Sequence, residues 1–486
     1  MKRIIILLGI LCVSFAQTPQ VLLLDDYLEL ALNNHPLVEK SQAEYMAQLN
    51  ANDMAKGIND WNLFMSSSYT KGYSMQGTTM YSGDTEILVA QAGLSSLLAD
   101  TGTRLNLTSE ATRMKAIPGF NGGTSTIYNA NLNISIVQPL LKNAFGQMDR
   151  YPLQLAKFGN ELASIKYSED LENFYKTLID DYLSWQLAYI TMVITKEQYN
   201  KAKDQVSFVE KQYKRGASEK LELVQANQSL KSKSVQFLSA KQGLENKGLV
   251  IASRIGDAKN KDATSLLPQN NIQLGVDGRV ADSVNYLQTR SKLAKLLKIQ
   301  EKMQKETLLY QENKSKPSAE LFLSKTVGSA ENTKEDMANN LGSQSPFSIG
   351  LQIETPLQNT AANKEEQAAR ERLTKIQKEN ENIMKDSVDG LLTIYQNIKS
   401  LDEMIRENEE LVNLSIEFAA LEEKKFKQGR SSLYFLINAQ DKLLGTKMHL
   451  ASLKSSKMLL INKLSSLLDT YQKTPLLMSI INKGAK

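Results

Sequence analysis

His35, His449 and Cys12 are all that this chain of 486 residues offers in imidazole and thiol chemistry. The two histidines stand far apart in helical patterns, and neither belongs to a metal-binding spacing. No nucleophile elbow, phosphate-cradling loop or paired-glycine fingerprint is present. Gly248 and Gly256 lie singly in a helical stretch, which is no cradle. Carboxylates are plentiful, but each sits among lysines on a helical face, where a solvated surface is the ordinary explanation. These residue types form no catalytic constellation, and a non-enzymatic protein without cofactor or metal is expected.

The informative pattern lies in the elements. Tyr213-Lys214-Arg215-Gly216, followed by Leu221, Leu223, Val224 and Ala226, reappears as Phe426-Lys427-Gln428-Gly429, followed by Tyr434, Leu436, Ile437 and Ala439. Upstream, Ile136-Val137-Gln138-Pro139-Leu140 reappears as Ile353-Glu354-Thr355-Pro356-Leu357. The first shift is 213 positions (216 to 429) and the second 217 (136 to 353), so a duplicated unit is expected. The reading is a signal segment over 1–16, one repeat over 17–256 and a second over 257–486.

Lys2 and Arg3, the apolar run from Ile4 to Phe15 and the small residues flanking Phe15 read as an export signal cleaved after Ala16. Lipidation at Cys12 is disfavoured, because Leu11 stands where a small residue is wanted. The mature chain then lacks cysteine and must be stabilised by packing. Its net charge falls from +5 to +3 once Lys2 and Arg3 leave, and its basic residues alternate with acidic ones, which argues against nucleic-acid binding. No later stretch is apolar enough for a transmembrane helix, which leaves a soluble chain or a β-barrel.

Asp25 and Asp26 are expected to cap a first helix, reset at His35-Pro36 and running on to about Lys56. From Trp61 the period becomes two. Leu63, Met65, Tyr69 and Tyr73 share one face, and Phe64, Ser66, Ser68 and Thr70 the other. Ala130, Leu132, Ile134 and Ile136 alternate with Asn129, Asn131, Asn133 and Ser135. Phe347, Ile349, Leu351 and Ile353 alternate with Ser348, Gly350, Gln352 and Glu354. Such alternation suits a barrel strand with lipid on one side and water on the other; a sandwich strand is the competing explanation. Leu88-Ala90-Ala92-Leu94 and Thr103-Leu105-Leu107-Ser109 read as an added hairpin in the first repeat, inside the barrel or beside it. Stretches 73–84, 113–126 and 327–345, rich in Gly, Ser, Thr and Asn, are expected as external loops, and Pro139 and Pro356 end strands.

Residues 146–214 and 360–428 then read as two helices, each roughly 100 Å long at 1.5 Å per residue. Ile398, Ile405, Val412 and Ala419 recur every seven residues, with Met404, Leu411 and Phe418 as a second series beside them. Two adjacent seams predict a helix with neighbours on both sides, as in a closed ring. Gly216 and Gly429 are expected to end these helices in the left-handed conformation, with Ser218 and Ser431 or Ser432 capping the returning helices and Arg430 and Ser431 facing Glu222.

Leu28, Ala31, Leu32, His35 and Pro36, the strand-ending Gln138-Pro139-Leu140-Leu141, and both Tyr/Phe-x-x-Gly hairpins resemble the TolC family of outer-membrane efflux and secretion ducts. The resemblance covers almost the whole mature chain. It implies an α+β membrane protein: a homotrimer with one shared β-barrel in outer-membrane lipid, continuous with a long periplasmic α-helical barrel. It implies that hairpin-tip residues Tyr213, Arg215, Gly216, Ala217, Ser218, Phe426, Gln428, Gly429, Arg430 and Ser431 dock onto a periplasmic adaptor joined to an inner-membrane pump. Well-known members narrow the tunnel with aspartate rings on the second hairpin. The matching positions are Phe435 and Asn438, with Glu222 on the first hairpin. Phe435 would make an apolar constriction or else pack between helices. The expected function is the passive exit duct of a tripartite efflux or type I secretion system; a secreted trimeric coiled-coil adhesin or fibre is the alternative.

Overall fold

The computed structural model describes residues 20–75, 82–117, 123–256, 266–270, 272, 274–275 and 278–484. The signal segment with Cys12, and the middles of stretches 73–84 and 113–126, lie outside them. The elements in chain order are β1 (Gln20–Leu22), α1 (Leu24–Asn34), α2 (Pro36–Asp53), β2 (Asn62–Met75), β3 (Ser82–Leu98), β4 (Thr103–Ile117), β5 (Ser125–Pro139), α3 (Tyr151–Lys214) and α4 (Lys220–Arg254). There follow β6 (Leu266–Pro268), α5 (Val280–Thr289), α6 (Lys292–Lys314), β7 (Ser318–Glu331), α7 (Lys334–Asn339), β8 (Phe347–Glu354), α8 (Thr360–Lys427), α9 (Leu433–Leu467) and α10 (Pro475–Gly484). Two compact units are present, each drawing on both halves of the chain. One comprises 45–164 and 296–383, the other 1–44, 165–295 and 384–486.

In the first of these units six strands form one antiparallel sheet in the order β2-β3-β4-β5-β7-β8. Opposed residues share a face. Leu63, Leu94, Leu107 and Ile134 stand in one row, and Leu105, Ile136, Leu323 and Ile349 in another. The reverse face carries rows such as Ser66, Gln91, Glu110 and Asn131. At one end of the apolar face Tyr69 and Tyr128 share a row, and Lys71, Glu86, Lys115 and Thr126 fill the next. The expected alternation is therefore realised. The added hairpin, β3 with β4, lies inside the sheet, between β2 and β5.

Two glycine positions show how closely that hairpin is seated. Gly102 has φ +75°, and a Cβ there would stand 2.9 Å from Pro139 Cγ and 3.0 Å from the Asn143 carbonyl oxygen. A left-handed residue without a side chain is thus required where the β3–β4 turn meets the chain leaving β5. Gln138 Nε2 donates to the Thr101 carbonyl at 2.9 Å, and Thr103 Oγ1 donates to Gln138 Oε1 at 2.5 Å. At the sheet edges, Phe64 lies over Gly93 and Phe322 over Gly350, aromatic rings covering the gaps that glycine leaves in a strand.

The strands run longer than expected. β2 reaches Met75, β3 starts at Ser82, β4 reaches Ile117 and β5 starts at Ser125. Stretch 327–345 is also not all loop, since β7 continues to Glu331 and α7 follows. In each case a neighbouring strand or turn supplies partners for the backbone, so composition rich in Gly, Ser and Thr does not end the ladder.

In the second unit α1 begins at Leu24 without a side-chain cap, and Asp25 and Asp26 occupy its first turn instead. They still favour the positive helix end, but as dipole partners rather than caps. His35 is extended between α1 and α2; its Nδ1 accepts from the Leu37 N–H at 3.2 Å, and its ring lies 4.7 Å from that of Phe174. Tyr27, Leu171, Leu178, Tyr182 and Trp185 are fully buried. The Tyr182 hydroxyl donates to the Leu22 carbonyl at 2.5 Å and accepts from the Gln269 N–H at 2.9 Å, fixing the parallel pair β1 and β6 to α3. A second core joins Leu287, Leu391, Ile394, Ile398, Ile461 and Leu464.

α3 and α8 contain 64 and 68 residues. Of the two seven-residue series on α8, Ile398, Val412 and Ala419 are buried. Met404, Leu411 and Phe418 are exposed at 51%, 40% and 50%. One seam therefore packs within the chain, and the other presents a bare apolar stripe.

Candidate functional site: the two hairpin tips

The α3–α4 and α8–α9 turns are built alike. Gly216 has φ +73° and Gly429 φ +69°. The Ala217 N–H reaches the Gln212 carbonyl at 2.9 Å and the Gly216 N–H the Tyr213 carbonyl at 3.0 Å. Arg430 to Lys425 and Gly429 to Phe426 repeat this at 2.9 Å each. This paired pattern satisfies the helix-end carbonyls and needs a left-handed residue at the glycine. The lysines of the last turns, Lys211 and Lys214 on α3 and Lys424, Lys425 and Lys427 on α8, sit at the negative helix ends.

The serines act differently from the expected caps. Glu219 and Ser432 stand at the N-cap positions of α4 and α9, and neither side chain makes a capping bond. Ser218 Oγ instead donates to Glu222 Oε2 at 2.5 Å, within the first hairpin. Ser431 Oγ donates to Glu422, closing the second hairpin onto its own descending helix. The expected pairing of Arg430 and Ser431 with Glu222 is therefore not formed. Each serine lies beside a carboxylate of its own hairpin, and the local partner wins because it costs less ordering entropy.

Tyr213, Arg215, Gly216, Ala217, Gln428, Gly429 and Arg430 are exposed at the bends, with Ser218 and Ser431 half-buried beside them. Phe426 turns inward. Its ring lies 5.7 Å from Phe208, at the margin of a cluster of Val209, Ala226 and Leu433 that joins the two hairpins. Just above, Gln205 Nε2 donates to Gln440 Oε1 at 2.8 Å, and the buried Lys233 ammonium pairs with Asp441. The tips are thus tied together by an apolar plug and two polar bridges.

Of the expected constriction residues, Phe435 is 59% exposed, so it is not packed between helices of its own chain. Its ring meets Tyr434 edge-on at 5.7 Å. Asn438, three residues on, is exposed on the same face. Glu222 is half-buried and held by Ser218.

One charged group escaped the sequence reading. Glu172 on α3 is 1% exposed and pairs with Lys292 at the start of α6. Lys292 Nζ also lies 3.5 Å from Asp469, a left-handed residue whose carboxylate accepts from Tyr286 Oη at 3.1 Å. Burial pushes the Glu172 carboxyl up to about 7 despite the Lys292 ammonium, and Glu172 Oε1 has no hydrogen-bond partner. Burial and the Asp469 charge push Tyr286 up to about 12. The three charges come from distant parts of the chain, and no local spacing signals them. They clamp the α5–α6 joint and the turn after α9 onto α3.

No family model and no curated protein matches this sequence. Solved structures do. The outer membrane protein VceC of Vibrio cholerae aligns over 92% of this chain and 95% of its own, with TM-score 0.66 and 13% identity. The CmeC outer membrane channel of Campylobacter jejuni aligns over 95% and 89%, with TM-score 0.65 and 13% identity. The open-state MtrE outer membrane channel of Neisseria gonorrhoeae aligns over 92% and 88%, with TM-score 0.61 and 13% identity. This chain has the fold of these outer-membrane channels.

Proposed function

We propose that this protein is the outer-membrane exit duct of a tripartite efflux or type I secretion system, a TolC-like homotrimer that passively conducts cargo delivered by a periplasmic adaptor and an inner-membrane pump. The observation that carries this reading is a six-stranded sheet with one apolar face that feeds, through Pro139 and Pro356, into helices of 64 and 68 residues. A fibre accounts for the helices but leaves the sheet unexplained. On β3 the apolar face extends from Leu88 to Leu98, about 33 Å along the strand, or roughly 25 Å of membrane thickness once tilted. No described helix is long and apolar enough to cross a membrane.

Assembly has a surface to use. The bare stripe on α8 continues through Leu414 and Leu421, and α4 exposes Leu221, Val224, Val235 and Leu238, whose steps of three, eleven and three keep them on one helix face. Joining α8 of one copy to α4 of the next makes a head-to-tail contact that closes into a ring. The duplicated halves then supply alternating pairs of helices to one tunnel. The tips dock onto the adaptor, and Phe435 with Asn438 lines the narrowest point, where an apolar ring stands in place of carboxylates. Opening is a two-state parting of the tips, biased by adaptor contacts.

Fractionation of cells producing the protein tests this. It is expected in the outer membrane, extractable only with detergent, as a trimer on gels that dissociates on heating. Release into the medium or shearing from the surface would refute it.

A further inference from the structure

The sheet has two open edges, and they are the most exposed part of it. On β8, Phe347, Ile349, Leu351 and Ile353 are 58–64% exposed, and on β2 Leu63, Met65 and Tyr69 are 61–77% exposed. In lipid such edges are not tolerated, because unpaired backbone groups find no water there. The sheet holds an even number of antiparallel strands, so β8 of one copy runs antiparallel to β2 of the next. The apolar face then continues across the junction. A second copy of this chain is the occupant that direction, polarity and edge chemistry all fit.

The count of strands sets the size of what closes. β3 and β4 are not an appendage, since they pair along their full length with β2 and β5. We infer that this duct ends in an eighteen-stranded barrel, three copies of a six-stranded sheet, rather than the twelve strands that four per copy would give. This rests on the trimeric duct proposed above. At about 4.8 Å between strands and a tilt near 40°, eighteen strands close at roughly 36 Å across and twelve at roughly 24 Å. Barrels of the larger class keep an open aqueous channel.

The inward face is mildly acidic. Asn, Ser and Thr are frequent on it, Arg104 is paired with Glu320 at 3.4 Å, Glu110 accepts from the neutral Thr112 hydroxyl at 3.3 Å, and Glu354 adds a further carboxylate, which leaves two negative charges in excess per copy (Glu110, Glu320 and Glu354 against Arg104). A wide, amide- and hydroxyl-lined exit with a modest acidic excess favours cations weakly and excludes little by size. It suits bulky hydrated cargo, a polymer or an unfolded polypeptide included, and leaves selection to the helical end.

Electron cryo-microscopy of the detergent-extracted oligomer, viewed down the barrel axis, measures the ring directly. A backbone ring of about 36 Å, 1.5-fold wider than the twelve-stranded alternative, is expected. A trimer with a ring near 24 Å would overturn the inference while leaving the duct intact, whereas a monomer would remove the duct itself. Cysteine pairs at the proposed junction, Leu63→Cys or Met65→Cys with Ile349→Cys or Leu351→Cys, should give inter-copy disulfides in at least one combination. Failure of all four in a folded trimer would overturn closure through β2 and β8.

Discussion

Phe435 carries the proposal's sharpest residue-level consequence. An apolar ring impedes ions by disfavouring water, whereas a carboxylate ring binds cations. Channels of the natural protein should therefore pass current that millimolar divalent cations barely change, and Phe435→Asp should introduce a block by those cations, read in bilayer recordings. Phe435→Ala should raise the resting conductance several-fold. Glu172 gives the protein a pH dependence away from the tips. Its folded value of about 7 lies above the ordinary 4.5, so its contribution to stability is complete below about 4.5 and is lost as pH rises through about 7. Melting of the assembled protein should fall by a few degrees between pH 5 and pH 8. Glu172→Gln, which stays neutral, should flatten that slope; an unchanged slope would show that the carboxyl does not titrate in this window.

A Cβ at Gly216 or Gly429 meets nothing within 4 Å, so a side chain there strains the backbone alone. Gly216→Val and Gly429→Val should each cost about 1–2 kcal/mol locally, distort the tips and impair export while trimers still form. Normal export by both would remove the tips from the mechanism. On α8, Leu414 and Phe418 are exposed within the chain, so Leu414→Glu or Phe418→Glu should leave the protomer folded and shift the detergent-extracted protein from trimer to monomer, measured by its mass. Long periodic elements were the legible part of the sequence. The second great helix was expected over 360–428 and spans Thr360–Lys427. Strand faces and glycine turns were equally readable, because each follows from a local period or a single backbone requirement. Strand ends were not, since the partner strand rather than the segment's own composition decides them. Nor were the Ser431–Glu422 bond, the inward turn of Phe426 or the Glu172 cluster, which depend on contacts between elements.

For the molecule as a whole, one chain offers a sheet that cannot close alone and a helical seam with nothing against it. In the duct proposed above, copies of the same chain meet both deficits. Conduction by the assembly is what sets such a duct apart from a fibre. Purified protein reconstituted into a planar lipid bilayer, with its mass measured in the same detergent, tests it most directly. A trimer and discrete conductance steps are expected. A freely soluble monomer that leaves the bilayer silent would contradict it.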